Sequence, residues 1–93
     1  MNTNGYNASL FDSAECYICH RETDLVRHEI FQGTNRSNSK KWGCWVTLCP
    51  RCHMDIHEHP AKFRWLKVEA QERAMEAHGW TEEEFRLVFG KTY

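Results

Sequence analysis

A repeated Cys-x-x-Cys constrains this chain more than anything else in it. The pairs are Cys16-Tyr17-Ile18-Cys19 and Cys49-Pro50-Arg51-Cys52, with 29 residues between them. Two residues between cysteines let a tight turn aim both sulfurs at one ion, and two such turns complete a tetrahedral shell with Zn–S near ~2.3 Å. A shell filled this way has no position for substrate, so Cys16, Cys19, Cys49 and Cys52 are expected to hold a structural Zn²⁺. The rival use of Cys-x-x-Cys, a redox pair, needs a βαβ pattern that the sequence does not show. The excursion between the pairs has room for two strands, whose ends must return to one point. The fifth cysteine, Cys44, reads as a small buried hydrophobe.

With 93 residues there is room for one domain. Its core must be small, and chains of this size often add a metal. Met1 to Ser9 is polar, with neither a basic start nor an apolar run, so the expected setting is the cytoplasm, where reduced cysteine pairs bind zinc. No stretch approaches the ~20 apolar residues of a membrane span. The net charge of −1 and the pI of 6.6 exclude the bulk basicity common among nucleic-acid binders, so any such binding must use a local patch.

Residues 1–13 read as a flexible polar arm with Phe11 as an anchor, and residues 16–20 as a zinc knuckle. Residues 25–31 lean towards β-structure, 32–41 are rich in Gly, Asn, Ser and Lys and read as a loop, and 44–48 read as a second strand. Pro50 suits the first turn of a short helix ending near residue 59. Pro60 opens a longer one over 61–78, with Phe63, Leu66, Ala70, Ala74 and Ala77 as its buried face and Gly79 as its C-cap. Thr81-Glu82-Glu83-Glu84 is a capping box, starting a last helix that carries Phe85, Leu87, Val88 and Phe89 to Gly90. The expected fold is α+β, one domain over 14–93 with a zinc-stapled ββα core (14–59) and a helical tail (60–93).

His53 and His57 are four apart, so on a helix their rings share a face. That spacing can seat two imidazoles on one ion; the competing reading is a solvated face shared with Asp55, Glu58 and His59. His28, at the end of the first strand, is ambiguous alone. Because the second knuckle fixes where the helix starts, it also fixes where His53 points, and the three histidines together suggest a second, open site. Arg36, Lys40, Lys41 and Arg51 cluster by sequence around the loop and knuckle, beside Trp42 and Trp45. They suit phosphate contact or, equally, a solvated loop.

The run Leu48-Cys49-Pro50-Arg51-Cys52-His53, with His28-Glu29-Ile30 upstream, resembles the HNH endonucleases and their ββα-metal fold. Within that family the chain is most similar to small phage and prophage proteins, through His28 to Arg36, Ser39, Gly43, Val46 to His53 and the tail Glu83-Glu84-Phe85, ending Val88-Phe89-Gly90-Lys91. The resemblance implies a catalytic divalent ion (Mg²⁺, Mn²⁺, Ni²⁺ or Zn²⁺) bound by His53 and, as in the colicin-type branch, by His57. Registering the strand on Ile30 makes His28 a ligand and Glu29 the general base; a shift of one makes His28 the base. Both alternatives stay open. The family's central asparagine falls on Cys44, with Asn35 or Asn38 as substitutes. The implied function is hydrolysis of DNA phosphodiester bonds with little sequence specificity, in company with phage packaging or recombination proteins. The alternative is a non-catalytic zinc module for DNA or for a packaging or regulatory partner.

Overall fold

The computed structural model describes residues 6–93. The excursion between the two Cys-x-x-Cys turns forms an antiparallel pair, β1 (Val26–Glu29) and β2 (Trp45–Leu48). His28 pairs with Val46 and Glu29 with Trp45, and a bond from the Ile30 N–H to the Cys44 carbonyl (3.0 Å) extends the ladder. Side chains alternate across a strand, so His28, Val46 and Leu48 share one face while Arg27, Glu29, Trp45 and Thr47 share the other. From the end of β2 the chain enters α2 (Pro50–Glu58), a 3₁₀ turn (Pro60–Phe63), α3 (Arg64–His78) and α4 (Glu82–Phe89). This is a small α+β domain, a hairpin followed by helices. No helix among the described residues is long and apolar enough to cross a membrane.

All of β2 is buried, although a two-stranded sheet packed on one side should leave its other face wet. The second cover is the N-terminal segment. The Leu10 N–H donates to the Gly43 carbonyl (2.9 Å), the Trp45 indole N–H to the Asn7 carbonyl (2.8 Å) and the Thr47 hydroxyl to the Glu15 carbonyl (2.8 Å). Polar groups on a covered strand face need partners, and these carbonyls supply them. The arm expected to be flexible is therefore laid against the hairpin from Tyr6 onward, with Phe11 buried; residues 1–5 lie outside the described residues. Gly43 permits the approach. Its φ is +77°, and a Cβ there would sit 2.5 Å from the Ala8 carbonyl oxygen.

The expected loop over 32–41 contains a 3₁₀ turn (Gly33–Asn35) and a short helix, α1 (Arg36–Lys41). Ser and Asn are poor helix formers, so side-chain anchors hold it. Ser39, fully buried, accepts from the Phe31 N–H (3.0 Å) and donates to the Phe31 carbonyl (2.7 Å). Asn35 and Asn38 donate to the carbonyls of Phe89 (2.7 Å) and Val88 (3.0 Å) at the end of α4.

The tail is fastened at the same place. Phe31 packs on Phe89 and Phe85 with ring centroids 4.6 and 5.6 Å away. The helix expected from residue 61 starts at Arg64, after the 3₁₀ turn; of its expected face Phe63 (in the turn), Leu66, Ala70 and Ala74 are buried, but Ala77 is exposed and Gln71 is buried instead. The four-residue step from Ala74 falls on His78, which meets Trp42 and Trp80. Gly79 caps α3 in the left-handed region, and the Thr81–Glu84 capping box starts α4. Leu87 of α4 faces solvent at 81% exposure.

Candidate metal centres

The four paired cysteines converge, with all sulfurs within 4.8 Å of one another. One sulfur pair, Cys19 and Cys49, is 3.6 Å apart; a tetrahedron with Zn–S of ~2.3 Å requires sulfur separations of ~3.8 Å. The knuckles are alike. The Cys19 N–H points at the Cys16 sulfur and the Cys52 N–H at the Cys49 sulfur, each at 3.5 Å. Cys49 is also the N-cap of α2, and a bond from the Tyr17 N–H to the Thr47 carbonyl (3.0 Å) ties the first knuckle to β2. Burial pushes the Cys16 thiol up, but N–H donors from the knuckle outweigh it and bring it down to about 6. Burial and the neighbouring thiols push Cys52 up. A cluster with this donor set and spacing suits a structural Zn²⁺, whose charge would let all four sulfurs ionise. Cys44 lies apart from it, and burial pushes its thiol up to about 12.

The second centre is made by His28, His53 and His57, whose ring nitrogens also lie within 4.8 Å of one another. His28 comes from the helix-facing side of β1. His53 and His57 come from successive turns of α2, with Nε2 atoms 3.1 Å apart, near the ~3.4 Å that two nitrogens span at ~2.1 Å from a tetrahedral ion. Ring centroids of His28 lie 5.3 Å from His53 and 5.6 Å from His57. Burial first, then the His53 and His57 charges, pushes His28 down to about 4; burial and His57 also lower His53. Neutral imidazoles are what a metal needs. His57 is exposed, so the cluster is open on one side.

Glu29, at the end of β1, lines the same cleft as the histidines, together with Tyr6, Arg27, Gln32 and Arg36. Its carboxylate accepts from the Tyr6 hydroxyl and from Arg36 Nε at 2.9 Å. Burial pulls the Glu29 carboxyl upward, but these hydrogen bonds and the Arg36 charge prevail and hold it below its usual range. Burial and Glu29 raise Tyr6 to about 12, which keeps it a donor.

Of the four expected phosphate contacts, Arg36 lines the cleft. Lys40 lies over the Tyr6 ring and Lys41 over Trp42. Arg51, two residues before His53 on α2, is turned roughly 200° around the helix from it and is not brought to the cleft. The structure instead brings in Arg27, stacked over Tyr6 and Trp45, and Lys67 of α3, beside His28 and His57. Arg27 was legible as the neighbour of His28; Lys67 has no local signal. Neither Asn35 nor Asn38 reaches the cleft: both hold the α4 terminus.

No protein family, curated protein or solved structure significantly matches this chain.

Proposed function

We propose that this protein is an HNH-type, metal-dependent endonuclease that hydrolyses DNA phosphodiester bonds with little sequence preference. The observation that carries this reading is the convergence of three imidazoles from β1 and α2 in an open cleft that also contains a carboxylate and two arginines. A divalent ion held by His28, His53 and His57 would supply positive charge against the charge that builds on the phosphate and the departing 3′-oxygen. With His28 committed as a ligand, Glu29 takes the base position. Its lowered pKa makes it a modest base, but it is ionised at neutral pH and oriented by Tyr6 and Arg36. Glu29 accepts a proton from the attacking water as the new phosphorus–oxygen bond forms and the bond to the 3′-oxygen breaks; that oxygen recovers a proton from solvent. Arg27 and Arg36 meet phosphate oxygens, which explains binding without base readout.

One observation favours a second reading, a zinc-stapled DNA-binding module without chemistry: the Glu29 carboxylate is already engaged by Tyr6 and Arg36. Nicking of supercoiled plasmid with magnesium, manganese or nickel decides between them. Glu29→Gln should lose ~10²–10⁴-fold in rate with zinc still bound, and His53→Ala at least as much. No metal-dependent nicking by the unmodified protein, or nicking that is unchanged in His53→Ala and therefore not made at this site, would return the protein to the binding-module class.

A further inference from the structure

A second cavity, of about 250 Å³, opens beside the histidine cluster and shares His28, His57 and Gln32 with the cleft. Its floor is apolar: Ile56 of α2 with Phe63 from the 3₁₀ turn and Leu66 from the start of α3. Its rim is polar, formed by the Gln32 amide and the Lys67 ammonium. The hollow is open to solvent on one side, and its floor residues Ile56, Phe63 and Leu66 are themselves buried. The shared histidines restrict what can occupy it. A group seated here is joined, over one or two linkages, to whatever lies at the three ring nitrogens.

For a DNA strand whose phosphate lies at those nitrogens, the group at that remove is a base. A base has apolar faces and a polar edge. The Phe63 ring and the aliphatic floor suit the faces, and the Gln32 amide can both donate to and accept from the edge. Lys67 stands where the strand continues and suits the next phosphate. A base within a duplex is stacked on both sides and cannot enter without being pulled from the stack. We infer that this cavity seats one unstacked base next to the phosphate to be cut, so that the preferred substrate is single-stranded or locally unpaired DNA, a specificity that rests on the nuclease reading.

The test is binding, measured by fluorescence anisotropy on the full zinc-loaded chain without added magnesium. The probes are a short single strand, an abasic strand of the same length and the matching duplex. The single strand should bind ~10-fold more tightly than the abasic strand and more tightly than the duplex. Ile56→Phe, which fills the cavity from its floor, should abolish the first ratio and leave the abasic affinity unchanged. Because that variant risks overpacking, Gln32→Ala at an exposed position should reduce the same ratio, and nuclear Overhauser contacts from a bound deoxynucleotide should fall on Phe63 and Leu66 in the unmodified protein. Equal affinity for abasic and normal strands, duplex binding as tight as single-strand binding, or base contacts elsewhere would each overturn the inference. The two readings fail differently. Base-dependent binding without cleavage under any metal defeats the nuclease and leaves the cavity as a strand-binding site, whereas cleavage without base dependence defeats the cavity alone.

Discussion

Replacing Ser39 with Ala should destabilise the domain far more than its place in a short polar helix suggests. The Ser39 hydroxyl is the partner of both backbone polar groups of Phe31, at 3.0 Å from the N–H and 2.7 Å from the carbonyl, and its side chain is fully buried. Alanine leaves two buried groups unpaired, at about 1–3 kcal/mol each, so the expected loss is about 2–6 kcal/mol. A domain of this size shifts by roughly 4–8 °C per kcal/mol, which puts the melting temperature at least ~8 °C lower. Denaturant and thermal unfolding should be run with the same free zinc for every variant, because bound metal adds its own stability. Ser37→Ala is the control: Ser37 is exposed in the same helix, and alanine there improves helix propensity, so it should be neutral or slightly stabilising. If Ser39→Ala and Ser37→Ala behave alike, the idea that α1 is held by this clasp is wrong.

Gly43→Ala should release the N-terminal segment, since its Cβ would meet the Ala8 carbonyl at 2.5 Å; amide exchange at Leu10 should accelerate, and unchanged protection there would count against the packing described. Cys49→Ala should release zinc and unfold much of the domain, because structural zinc contributes folding free energy directly; circular dichroism beside zinc content reads this, and a folded, zinc-loaded variant would contradict it. With no ion at the histidines, His28 resists protonation down to about pH 4, whereas the unfolded chain takes up that proton near pH ~6.5. The unfolded state thus binds more protons between these values, and stability falls as pH falls; relative to His28→Gln, the extra loss from pH 6.5 to 5 should be ~2 kcal/mol. Equal slopes for the two proteins would show that His28 titrates normally.

Features fixed by short-range chemistry were legible in the sequence. The Cys-x-x-Cys turns, the i, i+4 histidines of α2, the capping box at Thr81 and the end of α3 at Gly79 each follow from spacing over a few residues; Pro60 instead opens a 3₁₀ turn, and α3 starts only at Arg64. Features made by distant partners were not. Ser39, Asn35 and Asn38 look like loop residues until Phe31 and the α4 carbonyls are beside them. The arm looked flexible because many of its bonds to the hairpin run through backbone groups, which carry no side-chain signature, and because Tyr6 and Ser9 find their partners only across the fold. Tyr6 and Lys67 come beside the histidine cluster from segments far from it in sequence, with no local motif to mark them. Ala77 fits the apolar period of α3, but the buried face runs from Ala74 to His78, which packs on Trp42 and Trp80.

The proposed reaction depends on an ion at His28, His53 and His57, so the most direct measurement is the number of metal ions per chain. Native mass spectrometry of the folded protein, titrated with zinc or nickel, should find two bound ions, one held tightly and one weakly. His53→Ala and His57→Ala should each lose only the weak one, while the tight one stays with the cysteines. A single ion at every metal concentration in the unmodified protein, or a weak ion indifferent to both histidine variants, would contradict the account.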